Sequence, residues 1–134
     1  MAYLTLYLCA AAFFLVIDAI ALRVVLAPLF ERHIGDLMSE KVRLAPAAGF
    51  YACYVAGILY FCTCPALREP NLALAMMNGA ILGFLAYGTY EATNLATLKG
   101  WTWSMAVIDV TWGVVLTAST ATVAYLIGGK LGLG

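Results

Sequence analysis

The sequence predicts an all-α fold, an integral membrane bundle of four helices with both termini on the same, non-cytoplasmic side. Three observations carry that prediction. The chain of 134 residues is 65% hydrophobic and 10% charged, whereas soluble domains are nearer half apolar and a quarter charged. The apolar residues gather in four stretches, each long enough to supply the roughly 20 helical residues that cross a hydrocarbon core. The segments between them are too short to hold a soluble domain, so residues 1–134 read as a single transmembrane domain. Seven Lys and Arg balance seven Asp and Glu, which leaves no basic stripe for nucleic acid and no polybasic tract for a lipid surface.

The first stretch runs from about Tyr3 to Leu29. It has no basic segment before it and no small-residue cleavage pattern after Asp18, so it reads as a retained helix rather than a signal peptide. Phe30 to Arg43 is polar; Phe30, Ile34, Leu37 and Met38 against Glu31, Arg32, Asp36 and Glu40 suit an amphipathic turn lying on the membrane surface. The second helix is expected over 44–67, followed by a tight turn at Arg68–Pro70. The third is expected over 71–95, with a turn at Ala96–Gly100, and the fourth over 101–127. Arg32, Lys41, Arg43 and Lys99 fall in loops one and three, with Arg23 near enough to snorkel to the same edge, against Arg68 and Lys130 on the other side. This bias places loops one and three in the cytoplasm, or in the equivalent compartment of an organelle. Trp101 and Trp103 beside Lys99 suit an interfacial anchor.

Three acids do not sit in loops. Asp18, Glu91 and Asp109 fall inside the first, third and fourth helices, where an ionised carboxylate costs about 2.5–3.5 kcal/mol on insertion scales. At the α-helical rise each lies roughly 12–15 Å below the same interface, so antiparallel neighbours bring all three to one level. Tyr51 and Tyr54 on the second helix reach a similar depth and share a face. Tyr87, Glu91 and Asn94 align on the third, with Tyr90 alongside; Asp109, Gly113, Thr117 and Thr120 form a small polar stripe on the fourth, with Trp112 close by. The candidate cluster is therefore Asp18, Tyr51, Tyr54, Tyr87, Tyr90, Glu91, Asn94, Asp109 and Trp112. It serves either as interhelical fasteners or as a site that binds a polar head, relays protons or does acid–base chemistry.

The small residues Gly79 and Gly83, Gly49 and Gly57 with Cys53 between them, and Gly113 recur at spacings that let helix backbones approach. Packing inside the bundle is the first reading of them, a homo-oligomer or partner interface the second. Several chemistries are excluded. The lone His33 cannot provide paired axial ligands for haem or a histidine cluster for iron, and no lysine lies within a helix to form a retinal Schiff base. No metal site is expected. Cys62 and Cys64 cannot share one helical face; small-residue packing is the default for them, a disulfide from Cys9 to either the alternative.

Phe14-Leu15-x-x-Asp18-Ala19-Ile20, Phe50-Tyr51-x-x-Tyr54-x-x-Gly57, Pro65-Ala66-Leu67, Asn78-Gly79-Ala80-x-x-Gly83 and Tyr90-Glu91-x-Thr93-Asn94-Leu95-Ala96-Thr97, continued through Trp101 and Asp109-x-x-Trp112-Gly113, resemble the small membrane proteins grouped as domain of unknown function 2177. The resemblance covers nearly the whole chain. Two positions depart from that pattern, which favours Asp where Glu91 stands and Trp where Ala21 follows Asp18 and Ile20. The resemblance implies the four-helix membrane fold and brings no activity with it.

Two functions follow as expectations. In the first the protein is a non-catalytic accessory subunit that packs against larger membrane proteins, as in a respiratory or photosynthetic complex, or against its own copies and lipids. In the second the carboxylate–tyrosine cluster binds or modifies a lipid or isoprenoid. No cofactor is predicted, although the second reading leaves room for a bound lipid or pigment. A bacterial inner membrane or an organellar equivalent is the expected location, and no residue is assigned a catalytic role.

Overall fold

The four apolar stretches are four helices in the computed structural model, which describes residues 1–38 and 43–133. Helix α1 spans Ala2–Leu37, α2 Ala45–Arg68, α3 Leu72–Thr97 and α4 Trp103–Lys130, all long and apolar enough to cross a membrane. No strand occurs among the described residues.

Helix α1 outruns the end expected for it at Leu29. It stays α-helical through Ile34 and closes in a 3-10 turn at Gly35–Leu37, because Phe30-Glu31-Arg32-His33 holds no residue that breaks a helix. The expected surface turn is thus a helical extension, and the Glu40 assigned to it lies outside the described residues, as does the Lys41 of the charge count. At the other junctions the helices start one or two residues later than expected, since Asn71 and Thr102 cap them rather than join them. Asn71 Oδ1 accepts from the Leu74 N–H at 3.2 Å and Thr102 Oγ1 from the Met105 N–H at 3.2 Å, each satisfying an amide that a helix start would otherwise leave bare.

Two wide turns interrupt α1 and α2, and both have the same cause. The backbone is a π-helix over Leu22–Leu26 and again over Leu59–Thr63, ending in bonds from the Ala27 N–H to the Leu22 carbonyl and from the Cys64 N–H to the Leu59 carbonyl. The next residues are Pro28 and Pro65. A proline has no N–H to give and its ring presses on the carbonyl four residues back; widening the turn ahead of it relieves that clash. In α2 the carbonyl orphaned by Pro65 is that of Phe61, and the Asn78 side-chain amide of α3 donates to it at 3.4 Å, supplying from a neighbouring helix what lipid cannot.

Lipid offers no hydrophobic drive for helices to associate, so close packing has to hold them together. Helices α3 and α4 approach most closely at glycines. A Cβ on Gly79 would stand 2.7 Å from the Ala118 Cα, one on Gly83 would strike the Gly113 carbonyl oxygen, and one on Gly113 would enter the Tyr87 ring. Gly128 of α4 takes Leu67 and Leu6 against it, so the second turn and both termini share one end of the bundle. Gly100, at φ +84°, lies against His33 and Ile34 at the other end. Gly49 and Gly57, expected to pack similarly, have nothing within 4 Å of a Cβ position. Their spacing gives a common face, but that face of α2 turns away from the bundle.

Between the ends lies a dry core of Leu6, Ala10, Phe14, Val55, Ile58, Cys62, Leu116 and Ala121. Cys62 is buried there as a free thiol, and Cys9 and Cys64 are also free, which makes small-residue packing the role of these cysteines and leaves the Cys9 disulfide unformed.

Candidate functional site

Toward the end of the bundle opposite the termini, the packing opens into a cavity of about 460 Å³ bounded by all four helices. Helix α1 contributes Asp18, Leu22, Leu26 and Phe30, and α4 contributes Asp109. Helix α2 adds Ala47, Phe50 and Tyr51, and α3 adds Ala86, Tyr87 and Tyr90. The π turn of α1 puts Leu22 and Leu26 on this wall. Because Ala47 and Ala86 are small, the two middle helices leave room between larger neighbours. Phe50 and Tyr90 line the cavity yet remain 60% and 53% exposed at the bundle surface, so the cavity opens sideways.

Asp18 is only 3% exposed. Its Oδ1 accepts from the Trp112 indole N–H at 2.9 Å, across 94 residues of sequence, and Tyr51 stands beside it. Asp109, 7% exposed, lines the same cavity and accepts from no described donor; its neighbour is the carboxyl of Glu91. Two carboxyls so placed share a hydrogen bond only when one of them carries a proton. Glu91 is fully buried, its Oε1 accepting from the Trp101 indole N–H at 2.7 Å while Oε2 has no other partner. It is not among the residues lining the cavity; it stands behind Asp109 and contributes to the wall of an open apolar groove between α3 and α4 that includes Phe84, Leu85, Trp103 and Val107.

The aromatic residues pack in two groups. Phe14 meets Tyr51 edge-on at 5.4 Å, Phe50 stacks on Tyr54 at 5.7 Å, and Tyr54 meets Tyr87 at 6.3 Å. In the second, Trp101 packs against Phe30 at 5.4 Å and Tyr90 at 5.9 Å.

The structure therefore brings Asp18, Tyr51, Tyr87, Tyr90 and Asp109 to one cavity, with Trp112 behind Asp18 and Glu91 behind Asp109. Tyr54 turns into the dry core, where its hydroxyl pairs with Thr117 Oγ1 at 2.8 Å. Asn94 does not line the cavity and stands half-buried near Tyr90. Trp101, expected as an interfacial anchor, is half-buried and held by Glu91, whereas Trp103 is 75% exposed. Phe30, read from sequence as part of a surface turn, Phe50, read only as part of a motif, and the two alanines of the wall were not among the residues expected in the cluster. Spacing identifies a shared face on one helix, but only the packing of four helices shows where such a wall retreats.

The family described as predicted membrane protein (DUF2177) matches residues 3–126 of the chain. No curated protein and no solved structure matches it.

Proposed function

The chain belongs to the DUF2177 family of predicted membrane proteins, and we propose that it binds an amphiphile whose polar head enters the cavity among α1–α4 while its tail stays against the apolar wall. The observation that supports this most directly is the lining of the cavity, in which two carboxyls and three phenols converge on an otherwise apolar wall. A void of about 460 Å³ lies within the range of small-molecule sites, which are mostly apolar with a few convergent polar groups. Asp18, Asp109 and Tyr51 are those groups, while Leu22, Leu26, Phe30, Phe50 and Ala86 supply the apolar surface. Asp109 lines the cavity beside another carboxyl, that of Glu91, rather than against a donor, a pairing that fastening alone does not call for. The sideways opening suits a ligand that arrives from lipid.

The accessory-subunit reading draws on a different feature, the exposed Gly49 and Cys53 of α2, small residues with room for another helix. Purification from native membranes in a mild polymer, followed by native mass spectrometry, separates the two. A single amphiphile on the 14.3 kDa chain, lost when Ala86→Phe fills the wall, is the expected result. Stoichiometric larger proteins that remain bound after Ala86→Phe, with no amphiphile in the wild type, would replace this reading with the accessory one.

A further inference from the structure

We infer that the cavity selects a lipophilic ammonium cation, an amine or quaternary ammonium head on an apolar tail and without a phosphate. This rests on the amphiphile-binding reading and adds the charge of the head.

The argument starts from what the cavity offers. Its polar groups are two carboxyls, Asp18 and Asp109, and three phenols, Tyr51, Tyr87 and Tyr90. Among the described residues, no Lys, Arg or His lines it. Arg23, the cation nearest in sequence on α1, is exposed and is not part of the wall. A phosphate or carboxylate head would thus meet acidic groups and no counter-charge, in a setting where unpaired charge is most costly. A ligand with a positive head meets the opposite situation. Asp109 is nine-tenths buried and lines the void, with a second carboxyl, that of Glu91, as its neighbour; a cation there supplies the counter-charge that two adjacent acids otherwise obtain only by sharing a proton.

The second support is independent of the acids. Five aromatic rings line the cavity, those of Phe30, Phe50, Tyr51, Tyr87 and Tyr90. Ring faces carry negative potential, and aromatic enclosures of this kind hold ammonium groups, most favourably when water is excluded. A neutral alcohol would use the phenols and carboxyls as hydrogen-bond partners but would gain nothing from the ring faces. Carboxyls and rings together therefore favour one charge sign, which neither group requires alone.

The test uses the full chain in lipid nanodiscs, with empty nanodiscs as the blank for partitioning. Dodecyltrimethylammonium, dodecanol and dodecyl phosphate share a tail and differ in head charge. Binding is read as a saturable change in tryptophan fluorescence, for which Trp112 is suitably placed at Asp18. The ammonium is expected to bind at least about tenfold more tightly than the alcohol, and the phosphate not to saturate. Asp109→Asn, close in shape and able to stay in place, is expected to lower the ammonium affinity by about tenfold or more and the alcohol affinity by much less, so that the preference between the two heads falls. Phe50→Leu, a change at an exposed position, provides a second variant, and helix content by circular dichroism confirms that each variant is folded. Equal binding of ammonium and alcohol, insensitive to Asp109→Asn, would overturn the charge selection and leave the amphiphile-binding reading standing. Failure of all three probes to bind folded protein would overturn both.

Discussion

At the scale of single residues, two kinds of position govern the molecule: glycines where backbones touch, and indoles that hold carboxyls. Gly83→Ala drives a methyl into the Gly113 carbonyl, a backbone atom that cannot swing aside. It is expected to cost about 1–3 kcal/mol, as overpacking does, whereas Gly49→Ala, at a position with nothing within 4 Å, should be neutral or slightly stabilising. Unfolding in mixed micelles, followed by far-ultraviolet circular dichroism, checks the contrast, and equal losses at the two sites would refute the packing described. Trp112→Phe keeps a ring but removes the donor to Asp18 at 2.9 Å; a loss of about 1–3 kcal/mol is expected for a buried acceptor left without its partner. The same titration measures it, and an unchanged midpoint would count against the bond. Residue-level reasoning from sequence located Asp18, Glu91 and Asp109 because depth along a helix is arithmetic. It missed the bond from Trp101 to Glu91, ten residues away, because an indole beside a lysine at a helix start also suits a membrane interface. The choice between those roles depends on how the hairpin closes around Gly100, which residue types do not encode.

At the scale of the element, α1 and α2 share a device, a π turn placed immediately ahead of a proline. In α2 the device recruits α3 through Asn78, and this predicts an energetic coupling. Asn78→Leu alone leaves the Phe61 carbonyl without its donor, for a loss of about 1 kcal/mol, within the range of hydrogen bonds between membrane helices. Pro65→Ala restores an amide that can serve the same carbonyl, so in that background Asn78→Leu should cost measurably less. A double-mutant cycle reads the difference directly, and strict additivity would show that Asn78 does not serve the orphaned group. The four helices themselves were legible from composition, since apolar stretches of this length have few alternatives in lipid. Their irregular turns were not: proline marks the place of a disturbance, while its form depends on what neighbouring helices can supply. The outward face of Gly49 and Gly57 teaches the same point, because spacing defines a face and only the partner helices define its direction.

At the scale of the whole molecule, the bundle is divided lengthwise. Toward the termini the bundle is closely packed around Leu6, Ile58 and Leu116, with an open pocket at its rim between Tyr3, Tyr60, Leu67 and Arg68, and toward the other end it is hollow, acidic and aromatic. Basic residues follow the division: Arg32, Arg43 and Lys99 lie toward the hollow end, Arg68 and Lys130 toward the packed one. By the positive-inside bias the hollow end is expected on the cytoplasmic side, which labelling tests. Single cysteines at Asp36 or Lys99, in a chain whose four cysteines are replaced by alanine, should react with an impermeant maleimide only from that side. Cysteines at Glu69 or Leu131 should react only from the other. The reverse pattern in intact cells would invert the orientation without altering the fold.

The π turns also determine how the chain bears changes in length. Losing one residue from an ordinary stretch of helix rotates everything beyond it by about 100°, which in α1 would carry Phe30 away from the cavity wall. A π turn already accommodates one residue more than the α turn it replaces. Deletion within Leu22–Leu26 can therefore be absorbed by rewinding, so that the segment beyond keeps its facing, at the cost of returning the Pro28 ring to its clash unless Pro28 is also replaced. A scan of single deletions along α1 in a Pro28→Ala background should find its tolerant window there, where the extra residue of the wide turn can be given up and the site retained.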